Sequence, residues 1–201
     1  MTQQDNSGGE TPTTTIADFS FDDALAVWNT PAREWLTKND KHWNGLATAN
    51  LVFDRGGRLL LLQRAAHDSM PNRWEIPGGA VDDEDPSILY GAARELWEES
   101  GLAAKRFTGL VTTEKRVGEV PGFVFTNRHG TRFFCRFTFV VEVESDDAVK
   151  LDPNEHQDFV WATEEEVRAE KMGDREIPIT NKLTKDHMLE GFSTRAAGLS
   201  G

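Results

Sequence analysis

The chain has 201 residues, of which 38% are apolar and 28% charged, with a formal net charge of −12. That length and composition suit one globular domain with extra elements at its ends. The acidic balance argues against tight, nonspecific binding to a nucleic-acid polymer or an anionic membrane, both of which need a positive surface. The single cysteine, Cys135, excludes an intramolecular disulfide and a multi-cysteine zinc site, and points to a reducing, cytoplasmic setting.

In chain order, residues 1–17 are polar, without a basic stretch leading into an apolar one, and read as a disordered leader rather than a signal peptide. Residues 18–45 predict one or two short helices, with Thr30 as N-cap, Pro31 as a first helical residue, and Trp35 and Leu36 facing the core. This helical extension has two open roles, covering a cleft or pairing two copies into a homodimer. Two apolar runs, 46–53 and 58–64, flank Asp54-Arg55-Gly56-Gly57 and predict a β-hairpin. The second run, ending in Gln63-Arg64, is apolar on both faces, as a central strand is. A loop follows over 65–77, with a short strand at 74–76.

Residues 107–115 and 132–144 predict strands. In the second, Phe133, Cys135, Phe137, Phe139, Val141 and Val143 alternate onto one face, and Arg136, Thr138 and Glu142 onto the other. Between them lies a long hairpin loop, or a loop with extra strand pairing, carrying Phe123 and Phe125. Residues 158–162 predict a strand, Thr163 and Glu166 a capping box, and residues 180–190 a helix ending at Gly191. The tail after Ser193 reads as flexible. Interleaved strands and helices predict an α/β fold, a mixed sheet covered by helices.

The chemistry concentrates in residues 78–102, GGAVDDEDPSILYGAARELWEESGL. Asp85 and Pro86 predict the start of a helix and Gly101 its end. Leu89, Ala93, Leu96 and Trp97 form an apolar stripe, while Glu95, Glu98 and Glu99 are surface neighbours on the other side, with Arg94 at their border. Three ionised carboxylates at that spacing repel one another. A helix built for solubility alone gains more from Glu–Lys pairs, whereas a hard divalent cation with oxygen ligands offsets the repulsion.

The segment from Gly79 to Leu102 resembles the Nudix box, G-x5-E-x7-R-E-U-x-E-E-x-G-U, completely so over Arg94–Leu102. The preceding Arg73-Trp74-Glu75-Ile76-Pro77-Gly78-Gly79 is also similar to that family. Between Gly79 and Arg94 the chain is one residue longer than the signature, and either Asp85 or Glu84 takes the place of its first glutamate. The resemblance covers about residues 46–170. It implies a Nudix-type α/β/α sandwich, with the domain drawn at 46–192, and hydrolysis of a diphosphate linked to a nucleoside or another organic group. It also implies Mg²⁺ or Mn²⁺ held by Glu95, Glu98 and Glu99, Glu98 or Glu99 as general base, and Arg94 orienting the glutamates. Glu155 is the best candidate for a further metal-binding glutamate outside the box, whereas the lone His156 reads as structural. Gly78 and Gly79 let backbone approach the site. Arg64, Trp74 and Arg136 are candidate substrate contacts, Trp74 also fitting the core. The partner expected is a small-molecule diphosphate. Two other readings share the fold: an isomerase of an isoprenoid diphosphate, which needs a reactive cysteine, and a non-catalytic diphosphate-binding module.

Overall fold

The computed structural model describes residues 18–112, 120–127 and 129–198. In chain order these form β1 (Ser20–Phe21), a 3₁₀ helix (Asp23–Trp28), α1 (Ala32–Lys38), β2 (Gly45–Val52), β3 (Leu59–Arg64), β4 (Trp74–Glu75), α2 (Ile88–Ser100), β5 (Ala104–Leu110), β6 (Phe123–Thr126), β7 (Phe133–Val143), β8 (His156–Ala162), α3 (Glu164–Ala169), β9 (Lys171–Met172), β10 (Arg175–Glu176) and α4 (Lys182–Gly198). The expected leader, 1–17, and the last residues of the expected tail, 199–201, lie outside the described residues, as do 113–115 of the predicted strand 107–115. No helix among the described residues is long and apolar enough to cross a membrane.

The strands make two main sheets. One runs β1-β5-β7-β2 with β6 on β7; the other runs β4-β3-β8. The hairpin expected from 46–64 is therefore only a turn. Asp54 N bonds Arg58 O at 2.9 Å, and a single bridge joins Phe53 to Leu59 before the strands part. β2 instead pairs in parallel with β7, and β3 pairs antiparallel with β8. The reason is that both strands are apolar on both faces. Leu46 and Val52 of β2 and Leu60 and Leu62 of β3 enter one core, while Ala49, Leu51, Leu59 and Leu61 enter a second. Each strand thus needs cover on two sides. Separating them leaves an edge of β2 free, and the backbone of Pro77–Val81 takes it. Thr48 N bonds Gly79 O at 2.8 Å, Asn50 N bonds Pro77 O at 2.7 Å, and Val81 N bonds Leu46 O at 3.0 Å.

The first core lies between the sheets, α2 and the N-terminal helices. Leu25, Trp28 and Trp35 pack there with Phe137 and Phe139, so the extension belongs to the core of the domain. Pro31, not Thr30, caps α1. The second core lies under α3 and α4 and holds Trp74, Val140, Val167 and Met188. The capping box forms as expected: Thr163 Oγ1 accepts from Glu166 N, and Glu166 Oε2 accepts from Thr163 N. α4 runs through Gly191 to Gly198, so the stop expected at Gly191 and the flexible tail expected from 193 are both replaced by helix as far as 198. Gly191 serves packing: a Cβ there would lie 2.6 Å from Leu51 Cδ1.

Candidate functional site

α2 begins later than expected. Ser87, not Asp85, is its N-cap, with Ser87 Oγ accepting from Tyr90 N at 3.1 Å. Gly101, at φ 68°, ends the helix as expected. Ile88, Leu89 and Leu96 are wholly buried, each contributing about 1.5–3 kcal/mol. Carboxylate repulsion at helical spacing costs about 0.2–0.5 kcal/mol per pair, so the apolar stripe decides that this acidic helix forms. Trp97, expected on that stripe, is 37% exposed at its margin.

Asp85 turns inward and is 5% exposed. Arg94 Nε donates to its Oδ1 at 3.0 Å and Nη2 to its Oδ2 at 2.9 Å. Asp82 N donates to the same carboxylate at 2.8 Å, which closes the lengthened loop. Of the two candidates for the place of the signature's first glutamate, Asp85 is the one that Arg94 reaches. Arg94 also bonds Glu95, Glu98 and the Ala80 carbonyl, each at 2.9 Å. Its guanidinium is pushed above its ordinary pKa, first by the hydrogen bond to Asp85, with burial opposing.

The three box glutamates differ in setting. The Glu98 side chain is 55% exposed and that of Glu95 14%, whereas Glu99 is 6% exposed. Glu99 Oε2 accepts from Gly78 N at 2.7 Å. Burial pushes Glu99 well above the ordinary carboxylate range, against that bond, and the charges of Glu75, Glu95 and Glu155 add to the rise. Burial raises Glu95 as well, opposed by Arg94 and assisted by Glu98 and Glu155. Gly78 is required by closeness, because a Cβ there would overlap the Thr48 backbone carbonyl, whereas a Cβ on Gly79 would push the Glu95 carboxylate aside. Asn50, wholly buried, ties β2 to the helix, donating from Nδ2 to Ala92 O at 3.0 Å.

The structure brings Glu155 to this cluster across some 56 residues of sequence. One carboxylate oxygen each of Glu99 and Glu155 and a ring nitrogen of His156 lie within 4.8 Å of one another. Oxygen and imidazole donors around a buried, electrostatically stressed carboxylate fit a divalent cation, whose charge would relieve that stress.

The substrate contacts fare differently. Trp74 is wholly buried in the second core, with the Arg175 guanidinium 4.7 Å from its ring centroid, so it is not a surface for stacking a base. Arg64 is held by Asp68 and Glu75, each at 2.5 Å, and meets the cluster through Glu75 instead of standing free for phosphate. Arg136 points to the α4 side, donating from Nη2 to Thr184 Oγ1 at 3.2 Å; burial lowers its pKa, with Glu75 opposing. Sequence reasoning missed Glu75. It bonds Arg64 and His156, and its charge acts on Glu99 and Arg136. Its signal was its place two residues before Pro77-Gly78-Gly79. Two surface clefts, of about 810 and 500 Å³, are lined by other residues, among them Arg73 and Asn181 in one and Asp54 and Val140 in the other. Side-chain chemistry, not cleft size, marks the site.

Residues 43–183 match the NUDIX domain family. The chain belongs to that family. The Nudix chain is 28% identical over 137 residues to a CTP pyrophosphohydrolase of Escherichia coli, covering 64% of this chain and 83% of that protein. It is 39% identical over 71 residues to a CMP-5'-(N-acetyl-N-hydroxy-3-aminopropyl)phosphonate hydrolase of Streptomyces rubellomurinus, covering 35% of this chain and 34% of that one. The fold is shared with the crystal structure of a MutT protein from Methanosarcina mazei, at a TM-score of 0.55 and 23% identity over 76% of this chain and 94% of that chain. The mixed sheets flanked by helices are those of the Nudix fold.

Proposed function

We propose that this Nudix chain hydrolyses a diphosphate linkage in a nucleoside diphosphate derivative, using Mg²⁺ or Mn²⁺ held by Glu95, Glu98, Glu99 and Glu155. The observation that carries this reading is the convergence of buried Glu99 with Glu95 and Glu155 beside the Gly78-Gly79 backbone. Two of its relatives act on CTP and on a CMP phosphonate, which supports a nucleotide bearing a 5'-phosphate bond as the substrate class.

A bound divalent ion would neutralise the diphosphate charge and acidify a nearby water. Arg94 fixes Glu95 and Glu98 through charge-assisted hydrogen bonds and holds the loop at Ala80. Glu98, the most exposed of the three, is the general base. It accepts the proton as water oxygen bonds to phosphorus and the bridging P–O bond breaks, leaving two phosphate products. The net charge of −12 argues against tight, nonspecific binding of polymeric nucleic acid, and the buried, unpaired Cys135 suits a cytoplasmic setting. Burial pushes that thiol up to about 12, which disfavours the isomerase reading and its reactive cysteine. All three box glutamates are present, which disfavours a mere binding module.

The test is purified protein with Mg²⁺ and a panel of nucleoside triphosphates, nucleotide sugars, dinucleoside polyphosphates and isoprenoid diphosphates. Release of a phosphate product from a nucleotide supports the reading. Metal binding without turnover of any panel member contradicts it.

A further inference from the structure

His156 opens β8 and is 2% exposed. Its Nε2 faces Glu75 Oε1 at 3.2 Å, while its Nδ1 is buried without a hydrogen-bond partner. An ionised carboxylate only accepts hydrogen bonds, so a neutral imidazole facing Glu75 carries its proton on Nε2. The Nδ1 lone pair is then a buried acceptor with no donor, which is unfavourable unless something else fills it. The same ring stands within 4.8 Å of carboxylate oxygens of Glu99 and Glu155. A carboxylate on one ring nitrogen and an open lone pair on the other is how histidine is commonly prepared to bind a metal.

We propose that His156 is a ligand of the divalent cation through Nδ1, with Glu75 as its positioning residue. The inner set is then Glu99, Glu155 and His156, two carboxylates and one imidazole. This rests on the reading above for the presence of a cation and goes beyond it in the kind of donor. It also changes which ion the site favours. Mg²⁺ takes oxygen ligands and gives up its waters reluctantly, whereas first-row transition ions accept imidazole more readily. The chain alone therefore binds Mn²⁺ more tightly than Mg²⁺, and His156→Gln narrows the difference. Glu75→Ala, which frees the imidazole to rotate, weakens Mn²⁺ binding about 10- to 100-fold.

The decisive experiment is pulsed electron paramagnetic resonance on the full chain loaded with Mn²⁺ alone, without substrate. The expected result is a ¹⁴N coupling that becomes a ¹⁵N coupling when the protein carries ¹⁵N-histidine. It disappears in His156→Gln and persists in His67→Gln, a histidine whose Nε2 meets Asn154 O beside the same turn. Bound Mn²⁺ without nitrogen coupling, or a coupling that survives His156→Gln, overturns the proposal and leaves the carboxylate site intact. Failure of the unmutated chain to bind Mn²⁺ overturns this proposal and the cation-dependent reading together. Should His156→Gln not fold, the isotope-labelled chain still shows whether an imidazole holds the ion, and His67→Gln shows whether it is His67.

Discussion

Arg94 concentrates more of the site's electrostatics than any one glutamate. Its guanidinium is only 16% exposed and faces Asp85, Glu95 and Glu98 together. Removing it leaves the Asp85 carboxylate buried without its cation, the costly way to break a buried pair. Arg94→Ala is expected to lower unfolding stability by about 3 kcal/mol, read from urea midpoints; a change under about 0.5 kcal/mol, the size of a neutral surface substitution, contradicts it. The glutamate cluster was legible from sequence because helical spacing is a local property. Its inequality was not, because Glu99 is buried where it meets the Gly78 backbone while Glu98 stays exposed, a difference made by tertiary packing. The Glu75–His156 contact spans 81 positions and leaves no periodic trace. Asp85 illustrates the same limit: the extra loop residue left it open beside Glu84 in the sequence, and only folding shows that Arg94 reaches Asp85.

At the level of elements, the strands were read correctly as strands and incorrectly as a hairpin. An apolar run buried on both faces specifies two covering layers but not which neighbour lies at its edge, so β2 and β3 came out paired when they belong to different sheets. That separation matters for the site, because the edge it frees is the one on which Gly78 and Gly79 lie. Gly191 teaches the opposite lesson. A glycine near the end of a periodic segment reads as a cap, yet here it lets α4 settle on Leu51, which has no exposed surface. Gly191→Ala gains about 1 kcal/mol of helix propensity. Overpacking a tight core costs about 1–3 kcal/mol, so the loss wins. A melting temperature below that of the unmodified chain is expected, and a rise would show that Leu51 can give way.

For the whole molecule, stability in the acidic pH range depends on His187. It is 5% exposed on α4, with Nδ1 2.9 Å from Thr138 Oγ1. Burial first, and then the charge of Arg136, push it down to about 4, against the pull of Asp186. An unfolded histidine titrates near about 6.5, so between these values the unfolded chain binds more protons than the folded one. The contribution of neutral His187 is therefore complete above about pH 6.5 and is lost as pH falls toward 4, on the order of 3 kcal/mol in all. Glu95 and Glu99, shifted upward, work in the opposite direction. The quantity to read is thus the difference in urea midpoint between the unmodified chain and His187→Gln. That difference should change between pH 7 and pH 4.5 in the direction of relative stabilisation of the variant at low pH. A constant difference would contradict the assignment. The fold class was legible because alternating strands and helices of ordinary length admit few architectures. The joining of the 18–45 helices to the first core was not, since Trp28 and Trp35 reach Phe137 over about a hundred residues.

The central claim is that three glutamates on α2 form a cation-dependent hydrolytic site. Steady-state turnover of a nucleotide diphosphate substrate with Mg²⁺, compared among the unmodified chain, Glu98→Gln and Glu99→Gln, tests it most directly. Circular dichroism would establish that each variant keeps its fold. Both are expected to lose about 100-fold or more in kcat/KM, as the loss of a general base or of a metal-holding carboxylate does. Near-unchanged turnover in both folded variants would contradict the account.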